Sequence, residues 1–157
     1  MKPTSKSVVY TDQAPKPPPF LAQGIVTGNT VFCSGQIGVD RETGVLVEGT
    51  LKDRLVHSPS SLLHGDSSLT WVAKKRQIVS NLEAVLKAAG SSLQNVVKVN
   101  VFLTDMADYA AMNKAYAALF PDPKPARTCV CVQSLPLGTD IEVECIAAID
   151  SPVKTRL

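Results

Sequence analysis

The sequence contains no apolar stretch approaching the roughly 20 residues that a membrane-spanning helix needs, so no membrane partner is expected. It also lacks a charge excess, because 16 basic and 14 acidic side chains leave a net charge of only +2. Basic residues form no run that would follow a phosphate backbone, and no nucleic acid is expected. A Walker or Rossmann loop is absent as well, so the sequence predicts no nucleotide cofactor.

Metal and disulfide sites have little support either. The Cys-x-x-Cys spacing of zinc and redox motifs does not occur among the four cysteines, Cys33, Cys129, Cys131 and Cys145. Each lies in an apolar, strand-like run, which favours buried free thiols in a reducing compartment. His57 and His64 are two potential metal ligands without a third. We therefore expect no metal and no cofactor.

The N-terminal residues carry no hydrophobic secretory segment. Lys2 and Lys6, with several hydroxyl residues, precede the first acid, as in mitochondrial presequences, although arginine is missing there. The sequence predicts a cytoplasmic protein, with the mitochondrion as the alternative.

A chain of 157 residues is long enough for one domain with a substantial core, and we predict a single domain over residues 1–157. Residues 55–74 differ from their surroundings, since they are rich in serine and follow neither a helical nor a strand period. This segment is predicted to be an inserted loop.

The apolar periodicity predicts two helices that lie between strands. The first helix has Ile78, Leu82 and Val85 on one face and ends at Gly90. A half-buried strand with Val97, Val99 and Val101 inward follows, and then a second helix with a stripe of Tyr109, Met112, Tyr116, Leu119 and Phe120. The pattern indicates an α+β fold with a mixed sheet and both helices packed on one face. Apolar residues such as Val99 and Val130 suggest that homo-oligomerisation covers the other face.

An arginine and an acidic pair open the last two predicted strands. Arg127 shares one strand face with Cys129, and Glu142 shares a face of the next strand with Glu144. A guanidinium can hold a carboxylate through two parallel hydrogen bonds, and a nearby carboxylate can orient or deprotonate water. An Arg–Glu ion pair at a sheet edge is the simpler alternative.

Six ordered blocks of sequence make the chain recognisable over about residues 7–150. They are Phe-Cys-Ser-Gly-Gln-Ile at 32–37, Asn-Leu-Glu-Ala-Val-Leu-Lys-Ala-Ala-Gly at 81–90, Val-Lys-Val-Asn-Val-Phe-Leu-Thr-Asp-Met at 97–106, Met-Asn-Lys-Ala-Tyr at 112–116, Lys-Pro-Ala-Arg-Thr-Cys-Val at 124–130, and Ile-Glu-Val-Glu-Cys-Ile-Ala at 141–147. Together they strongly resemble the RidA (YjgF) family of reactive-intermediate deaminases.

The resemblance implies a chorismate-mutase-like fold and a homotrimer with ligand clefts between subunits. It implies that Arg127 binds a substrate carboxylate, that Glu142 positions a water, and that Cys129 contributes through its backbone. Ser34 and Asn113 would line the cleft, although a turn-stabilising or helix-surface role suits each equally well.

One departure concerns the cleft. Many family members carry a tyrosine hydroxyl where this chain has Leu21. The expected activity is hydrolytic deamination of enamines and imines such as 2-aminoacrylate to 2-keto acids and ammonia. The alternatives are a non-catalytic ligand-binding or chaperone-like protein and a ribonuclease-like translation inhibitor.

Overall fold

A computed structural model describes residues 6–47 and 77–150 of the chain. The predicted insertion at residues 55–74, with its two histidines, lies outside these ranges. In chain order the helices and strands are β1 (Lys6–Val9), β2 (Gly24–Thr27), β3 (Thr30–Gln36), α1 (Gln77–Ala88), β4 (Val96–Leu103), α2 (Tyr109–Leu119), β5 (Ala126–Cys131) and β6 (Ile141–Ala148).

The six strands form one mixed sheet in the order β1-β2-β3-β6-β4-β5. Each pair of neighbouring strands from β1 through β2, β3 and β6 to β4 is antiparallel, whereas β5 pairs parallel with β4. The parallel pair requires a crossover, which α2 supplies. The predicted α+β class with a mixed sheet is confirmed.

Both helices pack on the same face of this sheet. Helix α1 buries Ile78, Leu82, Val85 and Leu86, and α2 buries Met112 and Ala115 in the same apolar core. The strand side chains of that core include Val31, Val99, Val101, Leu103, Ile141, Val143 and Ala147. The helix-covered face therefore holds the hydrophobic core, as the apolar periodicity predicts.

Glycines end α1 and close the first hairpin. Gly90 has a φ of +75°, and the next amide, Ser91 N, donates to Leu86 O at 2.9 Å, which closes the last turn of the helix. Gly28 has a φ of +60° in the two-residue turn between β2 and β3. The predicted end of the first helix at Gly90 is confirmed.

The other face of the sheet, here called the open face, carries no described helix. Its side chains alternate between apolar and polar ones: Phe32, Lys98, Asn100, Phe102, Thr128, Val130, Glu142, Glu144 and Ile146. Phe32 is 44% exposed and Val130 is 40% exposed. Phe32 and Val130 are thus exposed apolar side chains on a face that no described helix covers, and such surfaces are commonly buried by a second copy of a chain.

Two predicted positions in this region are wrong. Val99 is fully buried on the helix-covered face, so it supplies no apolar surface to the open face. Val97 does not point inward, because the register shifts between Val96 and Lys98. This irregularity buries Val96 and leaves Val97 52% exposed.

Candidate functional site

Arg127 and Glu142 lie on opposite faces of the sheet. Arg127 is paired in register with Val99, and Val99 is also paired with Cys145, which places all three on the helix-covered face. Glu142 is paired with Phe102, three residues after Val99 and therefore on the open face. The ion pair considered from the sequence is consequently not formed within the chain.

The guanidinium of Arg127 is held by side chains of α2. Its Cζ lies 4.6 Å from the ring centroid of Tyr116 and 5.8 Å from that of Tyr109. Its Nη2 donates to the Tyr109 hydroxyl at 3.4 Å, and its Nη1 lies 3.7 Å from Met112 Sδ. The aromatic faces stabilise the cation without neutralising it. Among the described residues no carboxylate forms an ion pair with Arg127, so the guanidinium is free to bind an external anion.

Cys129 and Asn113 lie on the same side of the sheet as Arg127. Cys129 follows Arg127 by two residues on β5, and burial raises the pKa of its thiol more than the nearby Arg127 lowers it. A thiol that stays protonated is a poor nucleophile, which agrees with a role through the backbone. Asn113 is half-buried on α2, between Tyr109 and Tyr116 on one side of that helix. These five residues are here called the Arg127 cluster.

Glu142 occupies a gap that only glycine can leave. A Cβ atom added to Gly35 would overlap Glu142 Oε1 and lie 2.7 Å from its Cδ. The carboxylate has no hydrogen-bond donor among the described residues. Burial raises the pKa of Glu142, and the like charge of Glu144 raises it further. A carboxylate in these surroundings is a better proton acceptor than an ordinary glutamate.

Ser34 precedes Gly35 and holds the loop that carries Leu21. Its hydroxyl donates to Ala22 O at 2.6 Å, and its amide donates to Gln23 O at 3.0 Å. Ser34 also lies in the irregularity of β3, next to the glycine that faces Glu142. Ser34, Gly35, Glu142 and Leu21 are here called the Glu142 cluster.

The buried side chain of Gln23 fixes the loop before this cluster. Its Nε2 donates to Thr11 O at 3.0 Å and to Pro15 O at 2.9 Å, while its Oε1 accepts from Thr11 N at 2.7 Å. Leu21 remains 46% exposed and Phe20 is 88% exposed. The loop therefore presents an apolar surface next to the segment that Ser34 holds, one residue before Gly35.

The structure thus brings the six predicted site residues together as two groups rather than one. The sequence interpretation missed three further members, Tyr109, Tyr116 and Gly35, of which both tyrosines were assigned to the buried stripe of α2. Tyr109, however, is 38% exposed with its hydroxyl at Arg127. Gly35 leaves the space that the Glu142 side chain occupies. For Tyr109 the sequence signal was an aromatic residue on the helix before the strand of Arg127, and for Gly35 it was a glycine inside a strand.

Residues 6–47 and 77–150 include neither a candidate metal site nor a membrane-spanning helix. No group of three or more histidine, cysteine or acidic side chains there could hold a metal ion. No helix there is both long and apolar enough to span a membrane.

Comparisons with known proteins identify relatives over nearly the whole chain. The family model described as Endoribonuclease L-PSP matches residues 64–149. A RutC family protein of Pyrococcus horikoshii is 42% identical over 142 residues, covering 90% of this chain and 97% of that protein. Protein mmf1, mitochondrial, of Schizosaccharomyces pombe is 44% identical over 128 residues, covering 80% and 65%. A 2-iminobutanoate/2-iminopropanoate deaminase of Dermatophagoides farinae is 32% identical over 145 residues, covering 92% and 98%.

Solved structures agree with the sequence relatives. RidA from the Antarctic bacterium Psychrobacter sp. superposes with a TM-score of 0.72 at 37% identity, covering 91% of this chain and 99% of that one. E. coli TdcF with bound serine superposes with a TM-score of 0.67 at 31% identity, covering 90% and 98%. The fold and the family relationship are confirmed: the chain belongs to the RidA (YjgF) family, whose family model is described as Endoribonuclease L-PSP.

Proposed function

We propose that the protein hydrolyses reactive enamines and imines of the 2-aminoacrylate and 2-iminobutanoate type to 2-keto acids and ammonia. The observation that carries this proposal is the pair of uncompensated charges, Arg127 on one face and Glu142 on the other. Each lacks an opposite charge among the described residues, and a small imino acid with its attacking water needs both groups. The name of the Dermatophagoides farinae relative supports this activity.

The two groups serve one ligand only if they come from two copies of the chain. A sheet separates them within one copy, so we place the cleft where the Arg127 cluster of one subunit meets the Glu142 cluster of another. The apolar residues of the open face, such as Phe32 and Val130, favour burial in an oligomer. A homotrimer is our proposal for that assembly, and light scattering coupled to gel filtration measures it.

The chemistry asked of the site is modest. Arg127 holds the substrate carboxylate through two hydrogen bonds, and outward N–H groups of the edge strand β5 near Cys129 assist. Glu142 accepts a proton from water as the water oxygen attacks C2 of the imine. Return of that proton to nitrogen gives the neutral carbinolamine. Its hydroxyl proton then moves through Glu142 to nitrogen as C2=O forms and the C–N bond breaks, which releases ammonia and the 2-keto acid. An enamine such as 2-aminoacrylate reaches the imine beforehand by gaining a proton at C3 and losing one from nitrogen. Serine bound to E. coli TdcF is a ligand of similar size that also carries a carboxylate.

The direct test measures ammonia release from freshly generated 2-aminoacrylate. Wild-type protein should accelerate release over the buffer reaction, and Glu142→Ala should reduce kcat by on the order of a hundredfold, as expected for loss of a general base. Lys87→Ala, which removes an exposed cation of helix α1 far from the open face, is a control for general charge effects. Release at the buffer rate with wild-type protein would overturn the proposal.

A binding protein without catalysis is the second candidate, and Leu21 is the observation that favours it. The loop held by Ser34 exposes the apolar side chains of Phe20 and Leu21, where the family resemblance implies a tyrosine hydroxyl. Saturable binding of 2-oxobutanoate together with the buffer rate of ammonia release would identify this function.

The chaperone-like alternative depends on the exposed side chains of Phe20 and Val8, and suppression of client aggregation tests it. The ribonuclease alternative has only the family description behind it, and an RNA-cleavage assay tests it.

For localisation we propose the cytoplasm or the mitochondrion. The Schizosaccharomyces pombe relative is named mitochondrial, and Lys2 and Lys6 precede the first acid of this chain. Cell fractionation with an antibody against the native protein distinguishes the two compartments.

A further inference from the structure

We propose that the Tyr109 hydroxyl is a second carboxylate-binding group, which acts beside Arg127 on the same ligand. The inference deepens the proposed function, since it rests on a ligand that carries a carboxylate. Tyr109 is 38% exposed, and its oxygen lies 3.4 Å from Arg127 Nη2. It is thus the hydroxyl that the described structure brings to the predicted anion-binding arginine.

The direction of the hydrogen bond decides what this hydroxyl can do. A guanidinium has only donors, so Arg127 donates and the Tyr109 oxygen accepts. The hydroxyl proton is therefore left to donate elsewhere, and a carboxylate bound to the same guanidinium is the nearest acceptor that the ligand would bring. A hydrogen bond from a hydroxyl to a carboxylate is charge-assisted and stronger than one between neutral groups.

Tyr116 has a different role, which makes it a useful comparison. Its ring lies beneath the guanidinium, 4.6 Å from Cζ, and its hydroxyl donates to Pro125 O at 3.4 Å. Its proton is therefore already used within the protein, and burial raises the pKa of this hydroxyl. The guanidinium therefore lies over both rings, but only the Tyr109 hydroxyl keeps a proton that it can donate to a ligand.

The ligand class follows from this arrangement. A planar carboxylate accepts two hydrogen bonds from Arg127, and one of its oxygens also comes within reach of the Tyr109 proton. A 2-oxo or 2-imino acid fits, while the corresponding amide lacks the negative charge that both donors favour. Discrimination between acid and amide is therefore the property that Tyr109 should control.

The test measures Kd for 2-oxobutanoate and for 2-oxobutanamide with wild-type protein and Tyr109→Phe. We expect Kd for the acid to rise roughly tenfold, as for loss of one hydrogen bond to a charged group, and Kd for the amide to change much less. In imine hydrolysis KM should rise by a similar factor while kcat is retained, because the contact is made equally in ground and transition states. The ring of an exposed tyrosine is kept in Tyr109→Phe, so the fold is preserved and thermal unfolding verifies this.

Tyr116→Phe is the matched control, since it also removes one hydroxyl and keeps the ring beneath Arg127. Its effect on Kd for the acid should be smaller than that of Tyr109→Phe. Equal Kd values for wild-type protein and Tyr109→Phe, or equal losses for acid and amide, would overturn the inference. A wild-type protein that binds the acid in a Tyr109-dependent way without hydrolysing imines would support the inference while overturning the proposed function.

Discussion

The Arg127 and Glu142 clusters treat their charges in opposite ways. Arg127 rests on aromatic rings that favour its positive charge and leave its donors available. Glu142 is half-buried and lies beside a second acid, so burial and then the like charge of Glu144 raise its pKa and disfavour its negative charge. The first environment suits a group that must stay ionised to hold an anion. The second suits a group that must take up and release a proton.

The comparison also explains why Arg127 and Glu142 do not neutralise each other within one copy of the chain. The sheet itself lies between Arg127 and Glu142, so the two side chains cannot form an ion pair or contact one ligand within one copy. Each cluster is incomplete alone, and assembly is what would complete it. The predictions below test this division, from the largest expected effect to the smallest.

The largest effect is expected from mixing two inactive variants. Arg127→Ala and Glu142→Ala should each lose activity by on the order of a hundredfold when assembled alone. Coexpressed and purified through both tags, they should regain roughly a third of wild-type activity, because about one neighbouring pair in three of each mixed trimer combines an intact Arg127 with an intact Glu142. Ammonia release per subunit is the measurement.

The control for this mixing experiment is wild-type protein coexpressed with itself under the same two tags. Mixed assemblies that remain as inactive as their parents would place both groups in one subunit's site and contradict the division between copies.

The next effect concerns the space that Gly35 leaves. Gly35→Ala should displace the Glu142 carboxylate and lower kcat roughly ten- to a hundredfold, because small misplacements of a reacting group are costly. Gly44→Ala is the control: Gly44 has a φ of +67° and open space around it, so alanine there costs about 1 kcal/mol of stability without touching Glu142. If Gly35→Ala loses stability but keeps kcat, the glycine has only a structural role.

Much of the fold was predictable because local patterns decide it. The helical spacing of Ile78, Leu82 and Val85 and the stop at Gly90 depend on neighbouring residues alone, and both are confirmed. The exposure of Val97 was not predictable, since it arises from a register shift against a strand some fifty residues away. Alternation within a strand shows which of its residues share a face, but only the register between strands shows which residues of different strands lie on the same face of the sheet.

The site shows the same limit. The strand alternation correctly grouped Arg127 with Cys129 and Glu142 with Glu144. Whether the two pairs share a face depends on β4, which lies between β5 and β6 in the sheet and is distant in sequence from both. The contact of the Tyr109 hydroxyl with Arg127 was not predictable for a similar reason, because helical periodicity indicates which side chains are buried and not which residue a hydroxyl contacts.

A smaller effect is expected on stability. The folded-state pKa of Glu142 is raised, so its ionised form opposes folding above the ordinary value of 4.5. Glu142→Gln should therefore raise Tm by roughly 1–2 °C at pH 7, even as it removes activity. The gain should shrink as pH falls through the raised pKa and vanish below 4.5. Thermal unfolding from pH 4 to 8 measures it, and a gain that is independent of pH would assign the effect to something other than this charge.

The smallest effect separates the two causes of that raised pKa. Glu144→Gln removes the like charge but keeps an oxygen that can accept from Asn100 Nδ2, a contact of 2.7 Å. The pKa of Glu142 should fall, and the acidic limb of the pH profile of kcat/KM should move to lower pH by a fraction of a unit. Burial, the larger cause, remains in the variant, so the limb should still lie above that of an ordinary glutamate. Glu83→Gln, which removes an acid paired with Lys87 on α1, should leave the limb in place. A limb that moves equally in both variants would reflect net charge rather than the neighbourhood of Glu142.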